Sequence, residues 1–411
     1  MKAYLITLMV LGSTLVQAQN DQQSFGISFS GFVKTDAFYD SRQTVTLREG
    51  HLNLYPQPNS PDFNGKDING SPTVNMLSIQ TRLHGKITGP DALGAKTSGV
   101  IEGEFFGHSE ADVNGFRLRH SFVKLDWPNS SLLVGQTWHP MFIAEMFPGV
   151  VSFNTGAPFQ PFSRNPQIRF SYSVNNIKAI VAAVSQRDFT SNGPDGFSST
   201  YLRNSVIPNL HLQVQYSADG NLIGAGLDYK KLTPRLATSK TASSPKFVTD
   251  QSVAGFAGIG YVKLQLDPVV IKTEVVIGSN LSDHLMLGGY AVQSVNDSTS
   301  AETYTPIQVF SVWGELSTGT TFETGIFAGY TKNLGAEGNI NGSYYGRGTT
   351  ISHVFRVSPR LVWNSGKTRI ATELEYTQAG YGTTNNQRKG IVENIVVVSN
   401  YRLLLAVYYF F

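Results

Sequence analysis

The chain has 411 residues, with 32 Lys and Arg against 29 Asp and Glu, a net charge of +3 and no cysteine. So small a charge, with no polybasic block, gives nucleic-acid binding little support, and a chain without cysteine has neither disulfide frameworks nor thiolate sites. The length admits one large β domain or two to three ordinary domains.

The first 18 residues read as a secretory signal peptide. Lys2 supplies a positive start, Leu5–Val16 a mostly apolar run, and Val16-Gln17-Ala18 a small-x-small cleavage site, with cleavage after Ala18. The run is short of the roughly 20 apolar residues that a spanning helix needs, and no later stretch reaches that length without polar interruption.

From Ile27 onward the dominant period is two, which gives a strand one apolar and one polar face. Ile27–Asp40 alternates Ile27, Phe29, Val33, Ala37 and Tyr39 against Ser28, Ser30, Lys34, Asp36 and Asp40. The polar segment Ser41–Thr73, with YPQPNSP and DFNGKDINGS, is expected to be a long exposed loop that packs no core. Its Asp62-x-Asn64-Gly65 and Asp67-x-Asn69-Gly70 resemble pieces of a calcium loop, but the bidentate acid such a loop requires is missing, so turn chemistry explains them better. Further strands are predicted at 74–88, 97–106, 116–127, 132–138, 167–174 and 177–186. The second half adds about 209–217, 221–231, 254–266, 269–278, 306–317, 321–331, 350–363, 367–378 and 393–411.

Connections alternate along the chain. Short ones such as Pro128-Asn129-Ser130, Asn175-Asn176 and Ala218-Asp219-Gly220 are followed by long ones such as 187–207, 232–253 and 279–305. Sixteen strands with that asymmetry predict an all-β fold, a 16-stranded antiparallel transmembrane β-barrel spanning residues 19–411 as a single domain, with both ends on the periplasmic side. Closure is required because an unpaired strand edge in lipid leaves backbone groups unsatisfied. A soluble β-sandwich or tandem β domains are the alternative. Tyr39, Trp127, Trp138, Tyr229, Tyr330, Trp363, Tyr376 and Tyr409 near strand ends argue for interfacial girdles instead. The last strand alternates to Phe411, and soluble domains rarely end on an exposed Tyr-Tyr-Phe-Phe.

That ending is similar to the final strand of bacterial outer-membrane barrels, which close on a phenylalanine. Gly31-Phe32-Val33-Lys34-Thr35-Asp36-Ala37-Phe38-Tyr39-Asp40 resembles the first strand of the trimeric sixteen-stranded porins, the DcaP-like group above all. Leu118–Trp127 and Leu133–Trp138 look like that group's fourth and fifth strands. The resemblance implies a homotrimer in the outer membrane of a Gram-negative bacterium, surrounded by outer-membrane lipid. It also implies a diffusion channel whose third external loop folds inward.

His139–Asn165 is the third long connection, and it has neither strand alternation nor a helical stripe. A long irregular segment in a compact domain is functional or a sign of misassigned elements, and it is expected to fold into the barrel and narrow it. Its phenylalanines, Phe142, Phe147, Phe153, Phe159 and Phe162, form a greasy slide or, the favoured expectation, anchor the loop.

Polar partners of the apolar alternation are the lumen candidates: Arg82, His84, Arg117, Arg119, Arg169, Arg356, Arg360 and Arg402, with Glu102, Glu104, Glu274, Glu373 and Glu375. Rings of charge at a constriction set ion selectivity, whereas salt-bridged ladders merely stiffen a wet wall. Arg164, placed in the loop itself, is expected to join Arg82, Arg117, Arg119 and Arg169 at the constriction, partly neutralised by Glu102 and Glu104. Arginine suits carboxylates because its planar fork donates in pairs. Passive passage of small hydrophilic solutes follows, with a modest preference for anions or organic acids. Outward-facing Gly31, Ala37, Gly99 and Gly103 on the early strands suggest close packing between protomers.

The stretch Gly89–Thr97 misses the phosphate-loop spacing by one residue and is followed by a strand. HExxH and G-x-S-x-G are absent, and His120-Ser121, as neighbours on a strand, face opposite ways. No enzyme activity, catalytic residue, metal or cofactor is expected. A barrel hydrolase would favour ten or twelve strands, and a plugged structural or adhesive barrel remains the other alternative.

Overall fold

The computed structural model describes residues 25–411, so the expected signal peptide lies outside the described residues. Sixteen antiparallel strands close into a barrel. They are β1 (Gly26–Asp40), β2 (Thr73–Leu77 and Arg82–Thr88), β3 (Lys96–Glu104), β4 (Arg117–Asp126), β5 (Ser130–Trp138), β6 (Arg164–Val174), β7 (Ile177–Val184) and β8 (Asn209–Ala218). The second half holds β9 (Asn221–Leu232), β10 (Val253–Leu266), β11 (Val269–Ser279), β12 (Glu302–Thr318), β13 (Phe322–Ala336), β14 (Ile351–Ser365), β15 (Thr368–Asn385) and β16 (Ile391–Phe410). Closure comes from β1, which pairs Phe32–Asp40 with Arg402–Phe410 and, along its other edge, pairs with both parts of β2.

The alternation runs inside out relative to a soluble sheet. In β8 the residues Leu210, Leu212, Val214 and Tyr216 face outward and are exposed, while Asn209, His211, Gln213 and Gln215 are buried inside. β16 does the same with Leu403, Leu405 and Val407 outside and Arg402 inside. An apolar belt around a polar interior is what a lipid-facing barrel wall requires.

Several expectations need correction. β2 is interrupted at residues 78–81; there Thr81 Oγ1 accepts from the Lys34 amide at 3.2 Å and the Thr81 carbonyl accepts from the Phe105 amide at 3.3 Å, so the ladder bonds are replaced, not lost. The segment 41–72 is not wholly exposed. Thr44–Leu47 and Leu52–Pro56 form a hairpin whose Leu52 and Leu54 are fully buried with Met141, Phe153 and Phe159. Trp138 is no girdle residue: it lies inside, its ring stacked 3.8 Å from Phe142. At two of the outward glycines a side chain would meet this chain's own groups, the Phe116 ring at Gly103 and the Arg82 carbonyl and Phe411 ring at Gly31.

Candidate functional site

The long loop between β5 and β6 is a chain of tight turns. Its base is closed by the His139 amide on the Ser163 carbonyl at 2.9 Å, and the amides of Phe142, Met146, Thr155, Ala157 and Phe159 each donate to the carbonyl three residues back. From there its backbone and the Asn154 side chain bond to side chains of distant strands. Glu315 of β12 accepts from the Gly149 amide and Glu373 of β15 from the Val151 amide. Glu375 accepts from Asn154 at 2.8 Å, Arg356 of β14 donates to the Ala157 carbonyl at 2.8 Å, and Ser311 donates to the Phe159 carbonyl at 2.7 Å. Lys34 and Lys272 reach the carbonyls of Val151 and Phe147 at 3.2 and 3.0 Å. A side chain at Gly149 would have to displace the Arg360 guanidinium, which lies against it. Phe142, Phe153, Phe159 and Phe162 are buried anchors, while Phe147 stays 47% exposed and borders open space.

Beside the loop sits a cluster of arginines and acids. Glu104 accepts from Arg82 at 3.0 Å, Arg117 at 2.8 Å and Arg119 at 2.7 Å, and Arg164 Nη1 lies 3.8 Å from it. Glu102 accepts from Arg119 at 2.7 Å and meets His84 at 2.9 Å. A β-bulge sets this up. Register shifts between Glu102 and Gly103, so Arg119 and His120 both stand opposite Glu102, and both reach it. Asp188, in the connection after β7, takes Arg164 Nε at 2.8 Å and Arg117 Nη1 at 3.2 Å. Burial pushes the Asp188 carboxyl up, but Arg164 and Arg117 outweigh it and hold it below the usual carboxylate range. Arg82, Arg117, Arg119 and Arg164 against Glu102, Glu104 and Asp188 leave one net positive charge.

The structure thus gathers six of the seven expected site residues and separates one. Arg164 is not in the loop; it opens β6, paired with Trp138, and its side chain is fully buried. Arg169 faces inward but lies apart from the acids, bonded to Gln167 Oε1 and the Trp138 carbonyl at 2.9 and 2.5 Å. Arg356 and Arg402 are structural ties, the first to the Leu54 and Ala157 carbonyls and the second to Asp40 at 2.6 Å. Arg360 bridges Glu315 and Glu323. The acids of the first long loop are turn residues: Asp62 accepts from the Asn64 and Lys66 amides and Asp67 from those of Ser60 and Asn69.

Two cavities adjoin the loop. One of about 350 Å³ is lined by Arg82, Glu102, Arg119, Trp138, Phe147 and Arg369 among others. The other, of about 700 Å³, is lined by Lys263, Lys272, Glu315, Glu323, Arg360 and Arg369 with Glu145 and Asp267. Phe147, Gly149, Val150 and Val151 border both. Of the cluster arginines only Arg82 is appreciably open, at 20% of its side chain, while Arg117, Arg119 and Arg164 are buried among their partners. Sequence reasoning missed Lys263, Lys272, Arg369 and Asp188. The first three fall in predicted strands, and their polar phase was a usable signal; Asp188 lies in a long connection, where period two gives no register.

No family model matches the sequence, and no curated protein matches it significantly. Solved structures do resemble the fold. The outer membrane channel DcaP of Acinetobacter baumannii superposes with a TM-score of 0.68 over 96% of this chain and 100% of its own, at 15% identity. An anion-selective porin from Comamonas acidovorans gives 0.55 over 94% and 100%, at 13% identity. The OmpT outer membrane protein of Vibrio cholerae, in its trimer form, gives 0.53 over 95% and 100%, at 11% identity. At these identities the likeness establishes a sixteen-stranded porin fold.

Proposed function

We propose that this protein is a porin of the outer membrane, a passive diffusion channel for small hydrophilic solutes with a modest preference for anions, organic acids included, and that it works as a homotrimer. One observation carries the reading. The loop after β5 is fastened to the far wall by that wall's own carboxylates and by Arg356, and cavities remain on either side of it. Such a loop narrows a lumen without being part of its wall. The larger cavity is balanced, with Lys263, Lys272, Arg360 and Arg369 against Glu145, Asp267, Glu315 and Glu323. The smaller one has Arg82, Arg119 and Arg369 against Glu102 alone. The excess is cationic but small, and charges lining a narrow pore decide which ions enter. Similarity to an anion-selective porin and to a porin-fold protein solved as a trimer supports the same reading.

Filling of the lumen favours a second reading, a plugged structural barrel. The 44–56 hairpin, the loop after β5 and the 280–287 segment share one buried apolar cluster inside the wall. Single-channel recording in a planar bilayer separates the two. A channel gives discrete conductance steps and, in a KCl gradient, a reversal potential displaced toward that of chloride. Absence of steps from correctly folded protein would overturn the channel.

A further inference from the structure

Behind the root of the long loop, four buried polar side chains converge from four places in the chain. His139 opens the loop, Asn209 opens β8, Asp228 stands near the end of β9 and His284 lies between β11 and β12. Ligand atoms of His139, Asp228 and His284 all lie within 4.8 Å of one another. The two imidazoles are 4.6 Å apart between ring centres. Asn209 Nδ2 lies 2.9 Å from both His139 Nε2 and Asp228 Oδ1.

The protein's own donors and acceptors do not close this network. His139 Nδ1 accepts from the Met141 amide at 3.2 Å, so a neutral ring must carry its proton on Nε2. Asn209 Nδ2, itself a donor, points at that same Nε2. Turning the Asn209 amide over would aim its Oδ1 at the Asp228 carboxylate instead, and Oδ1 now has no partner. His284 Nδ1 sits 3.1 Å from Ser163 Oγ, and its Nε2 is buried, faces the cluster and is unpartnered. Lys230 is committed to Asp283, so among the described residues the Asp228 charge is met by hydrogen bonds from Asn209 and His211 and by His139 Nε2 at 3.6 Å, with no cation beside it.

We propose that this cluster is a site for a divalent transition metal of the zinc class, held by His139 Nε2, His284 Nε2 and an Asp228 oxygen. Two imidazoles and a carboxylate are a zinc donor set, with a fourth position left for Asn209 Oδ1 or water. The cation supplies the partner that His284 Nε2 and Asn209 Oδ1 lack. On coordination through Nε2, His139 moves its proton to Nδ1 and gives up the Met141 amide. Ser163 and His211 are positioning residues, holding His284 and Asp228 at 3.1 Å each. Bound metal ties the root of the loop to β9 and to the 280–287 segment, and so fixes the loop's base. No local motif announces the site, because its ligands lie at 139, 228 and 284. The inference stands whether or not the barrel conducts.

The test uses untagged, chelator-stripped, detergent-folded protein, titrated with Zn²⁺ by calorimetry and with Co²⁺ by visible absorption. One ion per chain is expected, and Co²⁺ should give the intense bands of a four-coordinate nitrogen and oxygen site. Ser163→Ala should weaken binding about 10–100-fold, as loss of an outer partner does. His284→Ala and Asp228→Asn should weaken it further still, and His108→Ala, an exposed loop histidine, should change nothing. Heat-modifiable mobility on gels reports whether each variant holds a folded barrel. Failure of the unaltered protein to take up stoichiometric Zn²⁺ or Co²⁺ would overturn the proposal whatever the variants do. So would binding that survives both ligand substitutions.

Discussion

Replacing Glu104 by glutamine keeps the side chain's shape and removes one charge from the centre of the arginine cluster. Glu104 is fully buried and accepts from three guanidiniums at 2.7–3.0 Å, with a fourth at 3.8 Å. Breaking a buried ionic network by removing one partner costs about 3–5 kcal/mol. Three charge-assisted bonds at roughly 1.5–3 kcal/mol each would sum higher, but such neighbours are not additive and glutamine still offers one acceptor, so the lower range is expected. The cluster's net charge rises by one unit. An ion passing ~8 Å away feels about 0.5 kcal/mol from that unit at water's dielectric, and salt near 0.1 M roughly halves it. Anions gain what cations lose, so the anion-to-cation permeability ratio should rise about twofold. Urea unfolding of detergent-refolded barrels reads the first quantity, and reversal potentials in a KCl gradient read the second. If stability moves by less than about 0.5 kcal/mol, the change of an ordinary surface substitution, and the reversal potential is unaltered, Glu104 does not organise the cluster.

Deleting Phe147–Pro158 should raise single-channel conductance while heat-modifiable mobility stays that of a folded barrel, because the segment bonds to lumen side chains and not to the ladders; an unchanged conductance would show that this loop is not the constriction. His51 sits among the rings of Phe38, Phe106 and Phe153, and burial drives its pKa down to about 3. The unfolded chain binds that proton first, near pH 6.5, so the stability from neutral His51 is complete above that pH and shrinks by about 1.4 kcal/mol per pH unit as acidity increases toward pH 3. His51→Gln should flatten the acid limb of the urea midpoint against pH, and an unaltered limb would refute the assignment. Single cysteines placed at exposed Asn64 and Ser243 should react with an impermeant label on intact cells, and those at Asn129 and Asn176 should not; the reverse pattern would invert the topology.

Period two carried the fold into view because the rule is local: each strand shows its two faces whatever surrounds it. The same rule went unused for Thr44-Val45-Thr46-Leu47 and Leu52-Asn53-Leu54-Tyr55, which alternate as clearly as any barrel strand. YPQPNSP and DFNGKDINGS gave the whole segment a polar character that the five buried residues of Leu52–Pro56 contradict. For the site, alternation put Arg82, Arg117, Arg119, Glu102 and Glu104 on one face, and they do meet. It could not tell Arg169 from them, because alternation gives the face of a strand and not the height along the barrel. Height depends on tilt and stagger, which are properties of the closed wall. His120 was missed for the opposite reason: a bulge at Glu102 breaks the parity locally and turns a second side chain inward.

How the lumen charges are used bears on selectivity more than how many there are. Glu373 and Glu315 accept loop amides, Glu375 holds Asn53 and Asn154, and Glu102 and Glu104 are committed to arginines. These acids hold the loop and the arginines, and so are largely withdrawn from the cavities beside them. Among the bases, Arg356 and Arg402 are likewise committed. Lys263 and Arg369, however, are half-buried, border the cavities and have no carboxylate partner among the described residues. On the proposed function, a lumen that uses its acids to hold a loop and leaves part of its basic charge facing water would gain an anion bias without an excess of basic residues in its composition. Lys263→Ala with Arg369→Ala should therefore move the reversal potential toward that of potassium more than Arg117→Ala does, although Arg117 sits in the denser cluster. A larger shift from Arg117→Ala would place the selectivity in the cluster itself.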